Sequence, residues 1–283
     1  VTIRQLLNMT SGIPSYTRDP VFSEKLENDI RAEWTDEELV SYAHPDEPIE
    51  SGQNKFDYSN TNYILAGMII EKITNDSLAN QLHKRILDNS SYSLKNTYYV
   101  AGKNWKAIQD SIMPRMVHGY FYDHETKKLL DTTANNLSWG AAAGAMISNT
   151  TDIIHWVQAL YHGKIFPDKY KDRELKNLKS VVSMKTGRSI ATVTPQDPNG
   201  FGLGVGSLYK DPGGQFWYYE GSGLGYRTAY IWKSCNNVTV AAALNSKGGE
   251  GNPNAPEGDH ILELMFKIYD EIITAYPRYN CDD

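Results

Sequence analysis

Apolar residues recur at helical spacing through the first two thirds of the chain, and in strand-like runs after residue 200. Thr2 reads as the cap of a short helix with Ile3, Leu6 and Leu7 on one face and Gly12 as its stop. "WTDEELVSYAHP" predicts a second short helix, capped at Thr35 or Asp36 and ended before Pro45. After Asn60 a longer helix presents Ile64, Leu65, Met68, Ile69 and Ile73, and "SLANQLHKRIL" gives another amphipathic one. "HGYFYDHETKKLL" alternates as a β-hairpin turning around Asp123 to Thr126. A cap at Asn149 or Thr150 opens a helix carrying Ile153, Ile154, Val157, Leu160 and Tyr161, stopped by Gly163.

Four strand-like runs follow: "GFGLGVGSLY", "QFWYYE", "GYRTAYIW" and "VTVAAALN". Turns at Pro212-Gly213-Gly214, around Gly221 to Gly225, and at Cys235 to Asn237 are short, which implies antiparallel pairing. The glycines of "GFGLGVG" alternate along a strand and suit close packing. A last helix places Ile261, Leu262, Met265, Phe266, Tyr269, Ile272 and Ile273 on one side, fit to cover a face of the sheet. The pattern predicts an α+β fold: a mostly helical region over residues 1–199, and an antiparallel sheet with a C-terminal helix over residues 200–283. The two are expected to pack as one unit with a cleft between them.

Composition narrows the function classes. A net charge of -6 over 283 residues, with no basic stripe, argues against nucleic acid as the main partner. No apolar run reaches membrane-spanning length and no signal peptide is visible. The opening directly on a helix cap, with no initiator methionine, reads as a processed or truncated protein. Cys235 and Cys281 either pair or remain two free thiols; both readings stand. His155 and His162 share a helical face with no carboxylate to complete a ligand set, so no structural zinc is expected.

Several motifs lead nowhere. There is no G-x-S-x-G, no phosphate-binding loop and no dinucleotide fingerprint. "SLYK" at Ser207 to Lys210 fits S-x-x-K in letters, but on a strand its first and last residues face opposite sides. Lys185-Thr186-Gly187 fits K-T-G but precedes the sheet.

"KFDYSNTNYILAGMIIEKIT", residues 55–74, sets Tyr58 and Asn60 two positions apart at the entrance to an apolar helix. One reading is a capped helix start beside a packed aromatic; the other is a catalytic base beside a substrate-binding amide. With "TIRQLLNMTSGI" before it, and "WGAAAGAMISNTTDIIHWVQAL", "GFGLGVG", "YYEGSGLGYRTAYIW" and "AAALNS" after it, the ordered set resembles the serine β-lactamase-related superfamily. That group holds class C β-lactamases, D-alanyl-D-alanine carboxypeptidases, and related esterases and D-aminopeptidases. The resemblance runs from residue 2 to about residue 270.

The resemblance implies an acyl-enzyme serine hydrolase with no cofactor, acting on a small-molecule or peptide substrate in the periplasm or outside the cell. Tyr58 would serve as base or relay for the nucleophile, and Asn60 would hold the substrate's acyl amide. A phenol does this only where cations favour its phenolate. The family's S-x-x-K lies upstream of the "TIRQLL" helix, so the nucleophilic serine is expected before residue 1 and this chain alone is expected to be inactive. The strand position that usually reads Lys-Thr-Gly or His-x-Gly matches Glu220-Gly221-Ser222 here. A carboxylate there would oppose an anionic substrate group by roughly 4 kcal/mol at 4 Å and an effective dielectric near 20. Arg227 would offset this by folding back into the cleft. Otherwise the expected substrates move from β-lactams to esters, neutral amides or substrates with a nearby cation. The bland alternative is that Glu220 points away and does no site chemistry. A backbone N–H of Ser222 or Gly223 is the expected oxyanion donor, and the "GAAAGAM" segment would pack behind the site. The competing expectation is a non-catalytic penicillin-binding-like relative that keeps the cleft as a binding or scaffold module.

Overall fold

The computed structural model describes residues 1–45, 55–123, 126–247 and 260–281. Its first helices are α1 (Ile3–Leu7), α2 (Pro20–Asn28), α3 (Asp36–Ser41), α4 (Thr61–Thr74) and α5 (Leu78–Leu82). Then come α6 (Trp105–Ile112), α7 (Ala141–Gly144), α8 (Thr150–Tyr161), α9 (Lys171–Leu178) and the terminal α10 (Ile261–Ala275). Strands interleave with them: β1 (Tyr98–Tyr99), β2 (Tyr120–Asp123), β3 (Lys128–Asp131), β4 (Met146–Ile147), β5 (Val182–Ser183) and β6 (Asn199–Phe201). The remainder are β7 (Gly206–Lys210), β8 (Gly214–Gly223), β9 (Tyr226–Trp232), β10 (Thr239–Leu244) and β11 (Ser246–Lys247).

Local chemistry explains the boundaries. Thr2 and Thr35 each close a reciprocal capping box, with Gln5 and Glu38 respectively, satisfying donors that the first helical turn leaves open. Asn149 caps α8 by accepting the Asp152 N–H, and Gly163 takes a positive φ beyond its end. α2 escaped the reading of the sequence although Asp19 caps it and Pro20 opens it, a pairing that marks a helix start.

β5 to β10 form one antiparallel sheet in the spatial order β10-β9-β8-β7-β6-β5. The sheet therefore begins at Val182, inside the span assigned to the helical region. α10 lies on one face, where Ile261, Met265 and Tyr269 meet Phe216, Ala229, Ile231 and Val240. α8 lies on the other, where Val157, Leu160 and Tyr161 meet Trp217, Tyr230 and Trp232. The turn between β8 and β9 reaches into the helical region: Leu224 is buried beside Tyr16, Phe22, Leu39 and Ile64. Thr132 Oγ1 donates to the Leu224 carbonyl at 3.0 Å, and Tyr226 Oη to that of Val117 at 2.8 Å. Helices packed on an antiparallel sheet, with helical layers beside it, make the fold α+β.

Several expectations change in detail. Ile3 is 55% exposed while Leu6 is buried, so α1 carries a narrower apolar face than its spacing suggested. α1 ends at Leu7 and its cap is Asn8, well before Gly12. Ile73 is 76% exposed near the end of α4, whose buried apolar contact centres on Ile64. "GFGLGVG" is not one strand: it spans the end of β6, a turn at Gly202 to Val205 with Gly204 at φ 82°, and the start of β7. Close packing does operate there, since a Cβ on Gly206 would lie 2.5 Å from the Tyr218 ring. β2 and β3 pair as a hairpin, and the centre of its turn, residues 124–125, lies outside the described residues. Cys235 and Cys281 form a disulfide, with Cα atoms 5.6 Å apart, tying the segment after α10 to the turn between β9 and β10.

Among the described residues, no helix is long and apolar enough to cross a membrane.

Candidate active site

Residues 57–62 are stitched to residues 9–18, the loop that follows α1. Asp57 N–H donates to the Met9 carbonyl at 2.9 Å. Ser11 Oγ donates to Asn62 Oδ1 at 2.7 Å, and Thr61 Oγ1 accepts from Tyr16 N–H while donating to the Pro14 carbonyl. Asn60 N–H donates to Ser15 Oγ, and its side-chain amide donates to Thr17 Oγ1, each at 3.0 Å. Arg18 closes the outside of the loop, pairing with Asp57 at 2.8 Å and donating to the Tyr58 carbonyl at 2.8 Å. Each bond satisfies a polar group at a helix entrance that would otherwise lose its water on folding. The result is a fixed backbone from which the Tyr58 side chain projects.

That side chain meets the sheet. Tyr58 Oη lies 2.9 Å from Tyr219 Oη of β8. Phe201 of β6 packs against both rings, with its centroid 6.2 Å from Tyr58 and 6.0 Å from Tyr219. Met9, Val182, Phe56, Tyr63 and Met184 complete the cluster.

β8 outruns its neighbour. Its last partner on β7 is at Tyr218, opposite Gly206, whereas its pairing with β9 continues to Gly223, opposite Tyr226. Among the described residues the β7-side edge of residues 219–223 is therefore unpaired by any strand. Gly223 and Tyr226 flank a two-residue turn, so they exchange both backbone hydrogen bonds, and Gly223 N–H points to β9. One residue earlier, Ser222 N–H points to the open edge.

Alternation also sorts the side chains. Trp217 and Tyr219 belong to the face packed by the helical region, and Phe216 and Tyr218 to the face under α10. Glu220 lies opposite Ala229, on the α10 side, and Ser222 lies opposite Arg227 on the same side. Arg227 folds back to Glu220 at 3.1 Å, forming an ion pair. The β8 side chain that touches Tyr58 is thus Tyr219, one residue before the position matched from sequence. Glu220 remains close enough to act on Tyr58 through its charge.

The electrostatics favour neutral phenols. Burial pushes the Tyr58 pKa above its ordinary value, the Tyr219 hydroxyl pulls it partly back, and the Glu220 charge raises it again. Tyr219 is raised well above the usual tyrosine range by burial first, then by Tyr58 and Tyr63. Tyr63 and Tyr230 are raised by burial as well. Among the described residues no three His, Cys, Asp or Glu side chains gather where they could hold a metal ion.

The structure brings Tyr58 to the sheet and pairs Glu220 with Arg227. Asn60 is anchored on the helical side by Ser15 and Thr17. Lys185-Thr186-Gly187 lies in the turn after β5, where Ser183 Oγ accepts the N–H groups of Lys185 and Thr186 at 3.2 Å. Ser207 is buried under Gln215, while Lys210 reaches Asp270 of α10. Tyr219, Ser15, Thr17 and Arg18 were missed. The strand alternation in "QFWYYEGSG" already put Tyr219 and Glu220 on opposite faces; nothing in the letters said which face met the Tyr58 loop.

The family model described as Beta-lactamase matches residues 1–262. Protein flp of Staphylococcus aureus (strain COL) is 30% identical over 201 residues, which are 68% of this chain and 35% of that protein. The chain thus spans about a third of the length of that curated relative. Among solved structures, a D-stereospecific amidohydrolase from Streptomyces sp. superposes with a TM-score of 0.72 at 27% identity, covering 87% of this chain and 68% of that one. The D-amino acid amidase of Ochrobactrum anthropi SV3 gives a TM-score of 0.70 at 21% identity, covering 97% and 71%, a likeness of fold. A match over residues 1–262 takes in both the Tyr58 loop and the β8 edge it meets, and by it the chain belongs to the beta-lactamase family, the serine β-lactamase-related superfamily.

Proposed function

We propose that this chain forms the Tyr58 side of a serine hydrolase that cleaves an ester or an amide, such as that of a D-amino acid, through an acyl-enzyme. The family supports hydrolysis, and the printed names of two structural neighbours, an amidohydrolase and an amidase, support the substrate class. The nucleophile in this reading is the serine of an S-x-x-K segment upstream of residue 1. Its Oγ attacks the carbonyl carbon while Tyr58 acts as a neutral relay, taking the serine proton on Oη as it gives its own to the leaving oxygen or nitrogen. Water then adds to the acyl-enzyme and releases the acid. Asn60, its amide oriented by Thr17, holds the acyl amide. Ser222 N–H, at the open edge of β8, supplies an oxyanion donor; the hairpin register favours it over Gly223. The disulfide suits an oxidising compartment, in keeping with a periplasmic or secreted protein.

The observation that carries this reading is the 2.9 Å approach of Tyr58 Oη to Tyr219, which sets the phenol where the helical loop faces the open strand edge. The test is hydrolysis of p-nitrophenyl esters and D-aminoacyl p-nitroanilides by the protein that includes the S-x-x-K segment, with and without Tyr58→Phe. The expected result is a fall in kcat of about 10²–10⁴-fold, with a thermal midpoint lowered by only a few degrees as the buried Tyr219 hydroxyl loses its partner. Equal rates would remove Tyr58 from the chemistry. A protein inert towards both substrate classes would leave the cleft as a binding module.

A further inference from the structure

We propose that Tyr219 is a positioning residue for Tyr58: its hydroxyl holds the Tyr58 oxygen at the strand edge and donates to it as negative charge develops there during proton transfer. The proposal rests on the reading of Tyr58 as the proton carrier.

The geometry of the pair comes first. Tyr58 and Tyr219 approach from different regions of the fold, 161 residues apart in sequence, and meet hydroxyl to hydroxyl. Phe201 stands edge-on to Tyr58 at 82° and tilted to Tyr219 at 59°, so one ring limits the swing of both. Each hydroxyl can donate in the neutral pair. Once one phenol ionises, the other must be the donor. With charge developing on Tyr58 during proton transfer, the Tyr219 hydroxyl at 2.9 Å is therefore the donor.

β8 presents Tyr219 to Tyr58, while Glu220 acts from the opposite face and is paired with Arg227; α4 presents Tyr63, and the loop after α1 presents Tyr16, whose own proton affinity Tyr58 raises. Tyr230 of β9 stands behind Tyr219. Arg18 is engaged by the Asp57 carboxylate and the Tyr58 carbonyl. The donor within reach of the Tyr58 oxygen is the Tyr219 hydroxyl.

The test reads the pair without needing catalysis. Difluorotyrosine placed at position 58, whose phenol ionises far below that of tyrosine, is titrated by fluorine NMR in the 283-residue chain. A hydrogen bond to a charged group corresponds to about 1–2 pH units, so Tyr219→Phe should raise the position-58 pKa by that amount. Tyr219→His keeps an N–H donor and should recover most of the shift. Tyr161→Phe, which removes the 3.1 Å partner of Tyr230 on the far side, should leave it unmoved. An unchanged or lowered pKa in Tyr219→Phe overturns the proposal. If that variant does not fold, a Tyr219→His titration matching wild type supports it, and one raised by 1–2 units overturns it. A shifted titration beside an inert complete protein would keep the pair and discard the hydrolase reading.

Discussion

A Cβ on Gly67 of α4 would lie 2.6 Å from the Cβ of Ala142 in α7, so the bare Gly67 backbone makes room for the Ala142 methyl. That approach seats the Ala-rich segment directly behind the helix that begins at the Tyr58 loop. Gly67→Ala should cost about 1–3 kcal/mol of stability despite the better helix propensity of alanine. Ala142→Gly in the same chain should return much of it. Urea unfolding of the two single variants and the double variant measures the coupling.

Asn60 depends on a short hydroxyl chain, since its amide donates to Thr17 Oγ1 and Thr17 lies 2.9 Å from Ser15 Oγ. Thr17→Val removes the acceptor while keeping the shape. Stability should fall by about 1 kcal/mol, the scale of one hydrogen bond. If Asn60 positions substrate, kcat/KM of the complete protein should fall by about 10-fold or more, because a displaced positioning group costs more in rate than in stability. Ester and amide kinetics beside a thermal melt separate the two effects.

Asp131, at the end of β3, accepts from Thr133 Oγ1 at 2.6 Å and from Thr133 N–H at 2.9 Å, and it faces His118 at 2.6 Å. Led by the Thr133 hydroxyl, these contacts hold its carboxyl down at about 2, against 3.8 unperturbed. The folded chain therefore binds fewer protons here than the unfolded chain, and the contribution to stability is full above pH ~4 and lost as pH falls through ~2. Asp131→Asn should flatten that part of the acid unfolding curve. A curve of unchanged steepness between pH 4 and 2 would contradict the assignment.

Cys235 and Cys281 close a loop of sequence separation 46 that contains α10. Asn236 reinforces the same corner, donating to Tyr269 Oη at 2.7 Å and to the Tyr279 carbonyl at 2.6 Å. Cys281→Ser should lower stability by about 2–4 kcal/mol through the freer unfolded chain. Denaturation with and without reductant should then differ in the wild type and coincide in the variant.

Much of this fold was legible in the letters because caps, turns and periodicity are local. Thr2, Thr35 and Asn149 act where their side chains can accept an N–H two or three residues on, and the β8–β9 turn falls at Leu224-Gly225, within the predicted stretch. Exposure was less legible: the spacing of Ile3 and Ile73 defines a face, but burial depends on what lies across from it. α2 hid because its sequence, "PVFSEKLEN", is mostly polar, leaving Asp19 and Pro20 as its main announcement. The site was legible on one side. Tyr58 and Asn60 sit in a recognisable local pattern, whereas Tyr219 gains its place from a register and a long-range docking that no window of sequence contains.

The most direct measurement is active-site labelling with a fluorophosphonate and a fluorescent penicillin, on the chain extended by the proposed upstream S-x-x-K segment, with the adduct located by peptide mass spectrometry. The account predicts an adduct on the S-x-x-K serine, formed about 10²–10⁴-fold more slowly in Tyr58→Phe. An adduct on a serine within residues 1–283, or none with either reagent, would contradict it.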